Sequence, residues 1–211
     1  MIEAILFDLD GTIIDSNEMI FQTFEKVFAE HLHQPITRDE IVTTFGRPLN
    51  EVFDEYMPGQ GEALAELFRV YVKDDAIAPA VLCPGVIPGL AMLKEKNLKL
   101  AIVTSKVKAN VVQGLIDFDI LQYFDVVVTP ADTHEHKPHP APALKALELL
   151  GVMPEQALMV GDSPYDIICG NEAGCQTAGV TYTAYNPQVL LDVNPNFMID
   201  SVMQLAEHFS K

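Results

Sequence analysis

The stretch Ala4-Ile5-Leu6-Phe7-Asp8-Leu9-Asp10-Gly11-Thr12 decides the fold of this chain. Four apolar residues in succession suit a strand that is buried on both faces. Asp8 and Asp10 follow at its end on one side of the pleat, so their charges repel unless a cation lies between them or one carboxyl stays protonated. Gly11 permits a sharp turn directly after the pair, and Thr12 adds a hydroxyl donor.

The composition is that of a globular, acidic protein of 211 residues, 49% hydrophobic, with a net charge of −17 when His is neutral. This charge argues against nucleic acid or an anionic membrane as a partner, and an anionic substrate would need local cations. Three cysteines without a C-x-x-C pair predict neither a disulfide framework nor structural zinc. No basic N-terminal region and no apolar run of roughly 18 residues is present. We therefore predict a cytoplasmic protein with no membrane partner.

Residues 16–81 predict an all-helical insertion, because their apolar residues recur at helical rather than alternating spacing. Thr37 and Glu40 form the pattern of a capping box, which starts the second of four helices. The predicted helices run over Asn17–Glu30, from Thr37 to near Gly46, from Pro48 to Tyr56, and over Glu62–Lys73. Phe21, Phe24, Phe28, Leu64 and Phe68 are interpreted as the hydrophobic core of this insertion.

Residues 1–15 and 82–211 predict an α/β core, a doubly wound parallel sheet of Rossmann-like type, because short apolar runs alternate there with helical segments. The predicted strands after the first are Leu98–Thr104, Asp125–Thr129, Ala157–Val160, Thr177–Val180 and Phe197–Ile199. The predicted helices are Val86–Lys96, Ala109–Ile116, Pro142–Leu150 and Asp166–Ala173. In such a sheet the functional site lies at the carboxyl ends of the strands.

Carboxylates, hydroxyls and one lysine gather at these predicted strand ends. They are Asp8, Asp10, Thr104, Ser105, Lys137, Asp162 and Asp166. Oxygen ligands without accompanying cysteine suit Mg²⁺, while the lysine and the hydroxyls suit a phosphoryl group. One aspartate of the first pair can attack phosphorus, and its neighbour can protonate the leaving oxygen and then deprotonate water.

Four motifs resemble the signature motifs of the haloacid dehalogenase superfamily, in the same order and over essentially the whole chain. They are Asp8-Leu9-Asp10-Gly11-Thr12, Thr104-Ser105, Lys137-Pro138 and Gly161-Asp162-Ser163-Pro164-Tyr165-Asp166. The insertion resembles the helical cap of that superfamily. The resemblance implies that Asp8 is the nucleophile and Asp10 the general acid and base, with the Asp10 backbone carbonyl on Mg²⁺. It also implies that Thr104 and Lys137 hold the phosphoryl oxygens, that Asp162 binds Mg²⁺, and that Asp166 assists directly or through water.

Several activities of the superfamily are favoured or disfavoured by residues that this sequence contains or lacks. Asp10 favours phosphate chemistry, because the true dehalogenases of this superfamily have no second acid there. The insertion offers only Lys26 and Lys73, which disfavours the Schiff-base chemistry of phosphonoacetaldehyde hydrolase. No histidine stands early in the first insertion helix, where the β-phosphoglucomutases have one. The local sequence around Phe124–Thr129 and Ala157–Asp162 is similar to that of bacterial pyrophosphatases and phosphoglycolate phosphatases of this superfamily. Of these two activities we favour pyrophosphatase.

Other polar residues are open to two interpretations. Lys106 is interpreted as solvated but able to reach a phosphate, and Arg47 as either a surface residue or a substrate contact through its planar guanidinium. Asp166 suits the first turn of a helix as well as the site. Three histidines with irregular spacing are interpreted as a solvated loop rather than a metal site, namely His134, His136 and His139.

The prediction is a Mg²⁺-dependent phosphohydrolase that acts on a small phosphorylated or diphosphate substrate, either as a monomer or as a weak homodimer. A cap joined to the core by two linkers is expected to open for substrate and to close against water. Sugar phosphotransfer of the β-phosphoglucomutase kind is one alternative. A non-catalytic binding or regulatory protein on the same fold is another.

Overall fold

The computed structural model describes residues 1–45, 47–74 and 76–209. The chain divides into two compact units. The core unit comprises Met1–Asp15 and Leu82–Lys211, and the helical unit comprises Ser16–Val81. Gly46, near which we predicted the second helix of the insertion to end, and Lys211, the predicted end of the core, lie outside the described residues.

The core unit begins with strand β1 (Ala4–Phe7), whose four residues are all completely buried. The short strand β2 (Ile14–Asp15) follows after the turn that contains Asp10. Between them, the backbone amides of Ile13 and Ile14 both donate to the carbonyl of Leu9. The apolar run therefore forms a central strand that ends directly before the first aspartate.

The helical unit contains four α-helices around an aromatic core. They are α1 (Asn17–Val27), α2 (Arg38–Val42), α3 (Leu49–Tyr56) and α4 (Gly61–Tyr71). The capping box between Thr37 and Glu40 is confirmed. The five predicted core residues of this unit are all buried: Phe21, Phe24, Phe28, Leu64 and Phe68.

The prediction of one regular helix from Asn17 to Glu30 is wrong at its C-terminal end. Helix α1 stops at Val27 and the chain continues as a π-helical turn over Phe28–Leu32. This wider turn leaves Phe28 packed edge-to-face against Tyr56, with 4.8 Å between ring centroids. Aromatic packing thus accompanies the departure from regular helical geometry.

The chain then returns to the core unit, where strands and helices alternate. The elements are β3 (Val81–Leu82), α5 (Val86–Glu95), β4 (Lys99–Val103), α6 (Lys108–Asp117), β5 (Val126–Val128), α7 (Ala141–Leu150), β6 (Ala157–Gly161), α8 (Pro164–Ala173), β7 (Gln176–Val180), α9 (Pro187–Leu191), β8 (Phe197–Ile199) and α10 (Val202–His208). Strands β2, β3 and helices α9 and α10 were not predicted. Strands β2 and β3 have two residues each, and helices α9 and α10 have five and seven, so all four are too short for a hydrophobic spacing to repeat several times.

Six strands form one parallel sheet in the order β5-β4-β1-β6-β7-β8. Phe7 of β1 lies in register with Ile102 of β4 on one side and Val160 of β6 on the other. Helices α7 and α8 pack on one face, where Leu6, Leu147 and Ala173 belong to one buried cluster. The predicted α/β class is confirmed. The order of connection reverses beside β1, which is where such sheets bind their ligands.

No helix within the described ranges is long and apolar enough to cross a membrane.

Candidate active site

The turn after β1 holds the two aspartates with little freedom. Asp8 is 8% exposed and its backbone amide donates to the carbonyl of Val160 in β6 at 2.9 Å. Gly11 has a φ of +77°, and a Cβ at this position would collide with the carboxylate of Asp162. Glycine is therefore required twice here, because the backbone is left-handed and because Asp162 packs directly on it.

Lys137 joins the nucleophile candidate to a second acid. Its ammonium donates to Asp8 Oδ1 at 2.8 Å, to Asp166 Oδ1 at 2.6 Å and to the backbone carbonyl of Val103 at 3.1 Å. The Lys137 side chain is only 6% exposed. Three acceptors match the three donors of an ammonium, so Lys137 is fixed by β1, β4 and α8 together.

Asp166 uses its two carboxylate oxygens for two different partners. Oδ1 accepts from Lys137, while Oδ2 accepts from the Ser163 hydroxyl at 2.6 Å and from the Ser163 amide at 3.1 Å. The second pair is the capping box of α8. Asp166 therefore caps a helix and also lies beside Lys137, while its role in the chemistry of the site stays a prediction.

Three of these acids form a cluster that could hold a cation. Carboxylate oxygens of Asp8, Asp162 and Asp166 all lie within 4.8 Å of one another, and all three residues are buried. Among the described residues, these three carboxylates share one buried ammonium, that of Lys137, which bonds to Asp8 and Asp166. This oxygen-only, net-negative arrangement fits Mg²⁺.

The pKa values of the buried acids reflect the same crowding of negative charge. Burial, together with the charge of Asp166, raises the pKa of Asp8 to about 7 despite the opposing effect of Lys137. Burial and the charges of Asp166 and Asp8 raise the pKa of Asp162 well above its usual value. Burial alone would lower the pKa of Lys137, but Asp166 and Asp8 outweigh it and the pKa is raised. A divalent cation between them would lower the pKa values of Asp8 and Asp162, because positive charge favours the ionised carboxylates.

Asp10 lies beside this cluster and has a lysine partner of its own. Lys106 Nζ lies 2.8 Å from Asp10 Oδ1, and both side chains are about 30% exposed. Lys106, interpreted as solvated but able to reach a phosphate, is partly exposed and lies beside Asp10, and its contact with a phosphate stays a prediction. Thr104 is buried and its Oγ1 accepts from the Lys106 amide at 3.1 Å, so its hydroxyl hydrogen points elsewhere. Ser105 is exposed.

The remaining predicted residues lie in varied surroundings. Thr12 is completely buried, and its hydroxyl has no hydrogen-bond partner in the part of the chain that the structure describes. Arg47 belongs to the helical unit and forms an ion pair with Glu55. Its predicted contact with substrate stays a prediction. The three loop histidines are all exposed: His134, His136 and His139.

Two residues that contact the site were not found by sequence reasoning. The hydroxyl of Tyr182 donates to the Thr12 carbonyl at 3.0 Å, and the hydroxyl of Thr183 donates to the Asp162 carbonyl at 2.6 Å. Both residues follow β7. The rule that carboxyl ends of parallel strands converge, applied to this strand as it was to β1, would have indicated them.

The parallel sheet and the acids at its strand ends define a class of protein, and comparison with known sequences identifies it. The sequence model of the family described as haloacid dehalogenase-like hydrolase matches residues 5–180, and the chain belongs to that family. A protein of Clostridium perfringens named "Putative pyrophosphatase PpaX" is 40% identical over 100% of this chain and 99% of its own length. Pyrophosphatase PpaX of Bacillus cereus (strain AH820) is 36% identical over 97% of this chain and 94% of its own.

Solved structures agree with the sequence relatives. A crystal structure described as a predicted phosphoglycolate phosphatase from Haemophilus somnus superposes with a TM-score of 0.87. It is 25% identical, and the match covers 99% of this chain and 98% of that chain. The comparisons confirm the predicted family and the predicted class of enzyme, a phosphatase.

Proposed function

We propose that this phosphatase is a Mg²⁺-dependent hydrolase of inorganic pyrophosphate that works through an aspartyl-phosphate on Asp8. The observation that carries the proposal is the buried cluster of Asp8, Asp162 and Asp166 around one ammonium, that of Lys137. The choice of pyrophosphate is supported by relatives with that activity in their names, at 36–40% identity over nearly their full lengths.

The chain's own oxygens would hold the cation. These are the carboxylates of Asp8 and Asp162, the backbone carbonyl of Asp10, and Asp166 either directly or through water. When bound, Mg²⁺ supplies positive charge for the oxygens of the transferred phosphoryl group. This role of Asp162 is supported by its surroundings, since its carboxylate packs on Gly11 and its backbone carbonyl accepts from the Thr183 hydroxyl.

The reaction follows from the placement of the two aspartates on one turn. Lys137 occupies Oδ1 of Asp8, and Oδ2 attacks phosphorus while the bridging P–O bond breaks. Asp10 gives a proton to the departing phosphate. It then takes a proton from the water that hydrolyses the aspartyl-phosphate.

The cations and hydroxyls around the turn serve the phosphate oxygens. Lys137 and Thr104 hold the transferred group, because the Lys137 ammonium lies 2.8 Å from Asp8 and Thr104 directly follows β4, the strand paired with β1. Lys106 is close enough to Asp10 to meet the second phosphate. Ser105, Thr12 and Arg47 are proposed as further substrate contacts.

The test measures phosphate release from pyrophosphate by the purified chain, with Mg²⁺ and with excess EDTA. We expect turnover that EDTA abolishes. Asp8→Asn should lower kcat by at least about 10³-fold, because it removes the nucleophile. Asp117→Asn makes the same change on the surface of α6 and should leave kcat unaltered. A folded Asp8→Asn protein with full turnover would refute the assigned nucleophile.

Phosphoglycolate is the second candidate substrate, because the Haemophilus somnus structure superposes along almost the whole chain. Equal kcat/KM for phosphoglycolate and pyrophosphate would favour broad specificity, and a much higher value for phosphoglycolate would overturn the pyrophosphate choice. Sugar phosphotransfer would give an isomerised product in place of free phosphate. A purely regulatory protein would release phosphate from none of these compounds.

A further inference from the structure

The loop that follows β7, residues 181–186, contacts both halves of the active site. Tyr182 reaches the turn after β1 through the carbonyl of Thr12, at 3.0 Å. Thr183, the next residue, reaches the loop after β6 through the carbonyl of Asp162, at 2.6 Å. One short loop therefore ties together the backbones that carry the proton-transfer acid and the metal acid.

Each of these hydroxyls is held in its donor role. The Thr183 oxygen also accepts from the amide of Tyr185 at 3.0 Å, which leaves its hydrogen for Asp162. Tyr182 is largely enclosed, and burial raises the pKa of its phenol above the usual value. The phenol therefore remains a protonated donor to Thr12 across the working pH range.

The two tethered backbones are packed so closely that a shift in one affects the other. The Asp162 carboxylate lies directly on Gly11, the residue before Thr12. The Thr12 side chain makes no hydrogen bond to another described residue. The hydrogen bond from the Thr12 backbone amide to the Leu9 carbonyl is long, at 3.4 Å. The Tyr182 phenol is thus a further fixed point for this turn, in addition to the backbone hydrogen bonds from Gly11 to Ile14 and from Ile13 to Leu9.

We propose that Tyr182 and Thr183 are positioning residues with separate tasks. Thr183 sets the Asp162 carboxylate for the cation, and Tyr182 sets the Asp10–Thr12 turn for proton transfer. This inference rests on the proposed function. Partners that orient metal ligands from behind typically change metal affinity or activity by 10–100-fold when they are removed.

The first experiment measures Mn²⁺ binding without substrate, by the loss of the free-ion EPR signal. Thr183→Val should raise the Kd for Mn²⁺ by about 10-fold, because Asp162 loses its tether. Thr183→Ser keeps the hydroxyl and should restore wild-type binding. Thr181→Val is the matched control in the same loop, since the Thr181 hydroxyl donates to Asp200 at 2.7 Å and not to the Asp162 or Thr12 carbonyl. Its Kd should not change.

The second experiment separates the task of Tyr182 from that of Thr183. Tyr182→Phe should lower kcat for pyrophosphate by about 10-fold, with KM and the Kd for Mn²⁺ close to wild type. Thr183→Val should instead raise the metal concentration needed for half-maximal rate. Thr183→Ala replaces Thr183→Val if circular dichroism shows that the valine variant does not fold.

These measurements distinguish a failure of the proposed function from a failure of the positioning roles of Tyr182 and Thr183. If the wild-type chain neither binds Mn²⁺ nor hydrolyses pyrophosphate, the proposed function fails. If the wild type does both and the folded Thr183 and Tyr182 variants match it, only the positioning roles are refuted. A serine variant that binds Mn²⁺ as weakly as the valine variant would refute the role of Thr183, because the hydroxyl would then be irrelevant.

Discussion

Lys137 is the residue on which the electrostatics of the site depends. It is buried against Asp8 and Asp166, and it satisfies a carbonyl at the end of β4 as well. Removing one member of a buried ion pair leaves uncompensated charge, and this usually costs more than the pair contributes.

Lys137→Met is expected to lower the free energy of unfolding by roughly 3 kcal/mol or more, because two buried carboxylates then face each other alone. Mg²⁺ should recover part of this loss. Lys145→Met is the matched control, since Lys145 pairs with Glu148 on the surface of α7 and should change stability by less than about 0.5 kcal/mol. Urea unfolding with EDTA and with Mg²⁺ measures both. Equal stability of the two variants would contradict this account.

Asp8 makes the stability of the metal-free protein depend on pH. Its pKa is raised from 3.8 to about 7 on folding, so the folded state holds the extra proton between these values. Because the folded state binds more protons than the unfolded state in this window, the contribution of Asp8 to stability falls as pH rises from about 4 to about 7.

The measurement is the difference in unfolding free energy between wild type and Asp8→Asn, in EDTA, across that window. The difference should move against the wild type as pH rises, because only the wild type must ionise a carboxyl at position 8, and the other buried acids are present in both proteins. Saturating Mg²⁺ should flatten or reverse the trend, since a cation favours the carboxylate. A wild-type advantage in EDTA that grows with pH would show that Asp8 is ionised without difficulty.

At the scale of elements, the turn between β1 and β2 depends on one backbone conformation and one close approach. Gly11 and Gly59 have nearly the same φ, +77° and +80°. A Cβ at Gly11 would collide with Asp162, whereas a Cβ at Gly59 would meet nothing within 4 Å. Alanine substitutions at these two glycines therefore separate the free-energy cost of the left-handed backbone from the cost of the collision with Asp162.

Gly59→Ala should therefore destabilise the chain by only about 1–2 kcal/mol, the cost of the conformation, and leave kcat unchanged. Gly11→Ala should cost distinctly more and should also weaken Mn²⁺ binding, because Asp162 has to move. Thermal unfolding and Mn²⁺ titration of both variants test this. Similar losses in the two variants would mean that Asp162 yields to the methyl group without consequence.

At the scale of the whole molecule, the net charge of −17 opposes compaction by self-repulsion. Raising NaCl from about 20 to about 300 mM should therefore raise the melting temperature, because added salt screens this repulsion. Glu95 and Glu207 are exposed and form no ion pair with another described residue. Changing both to Gln should raise the low-salt melting temperature and shrink the salt response. A melting temperature that falls with NaCl would show that local ion pairs dominate.

Much of the fold could be predicted from local pattern. The buried run of β1, the capping box at Thr37 and the sixth strand at Phe197–Ile199 were predicted as the structure has them. Each rests on neighbours within a few residues, where hydrophobic spacing and capping chemistry act directly. The π-helical turn after Val27 was not predictable, because it accompanies packing against Tyr56, which is distant in sequence.

The candidate site was predictable as a set of residues but not as a set of contacts. The order of the motifs indicated which side chains lie at the strand ends. It did not show that Lys106 bonds to Asp10 or that Lys137 bonds to both Asp8 and Asp166. These contacts depend on the course of the loops between the strands.

A parallel α/β sheet with two aspartates at the end of its central strand follows from the amino-acid pattern alone, because a short apolar run next to acids permits few other arrangements. The same pattern also determined the family, through four motifs in order. Only the tertiary structure decided how the acids share their partners. Lys137 stands 129 positions from Asp8, and Tyr182 stands 170 positions from Thr12. No local rule relates residues so far apart, and their distances are set by how the sheet and its loops pack.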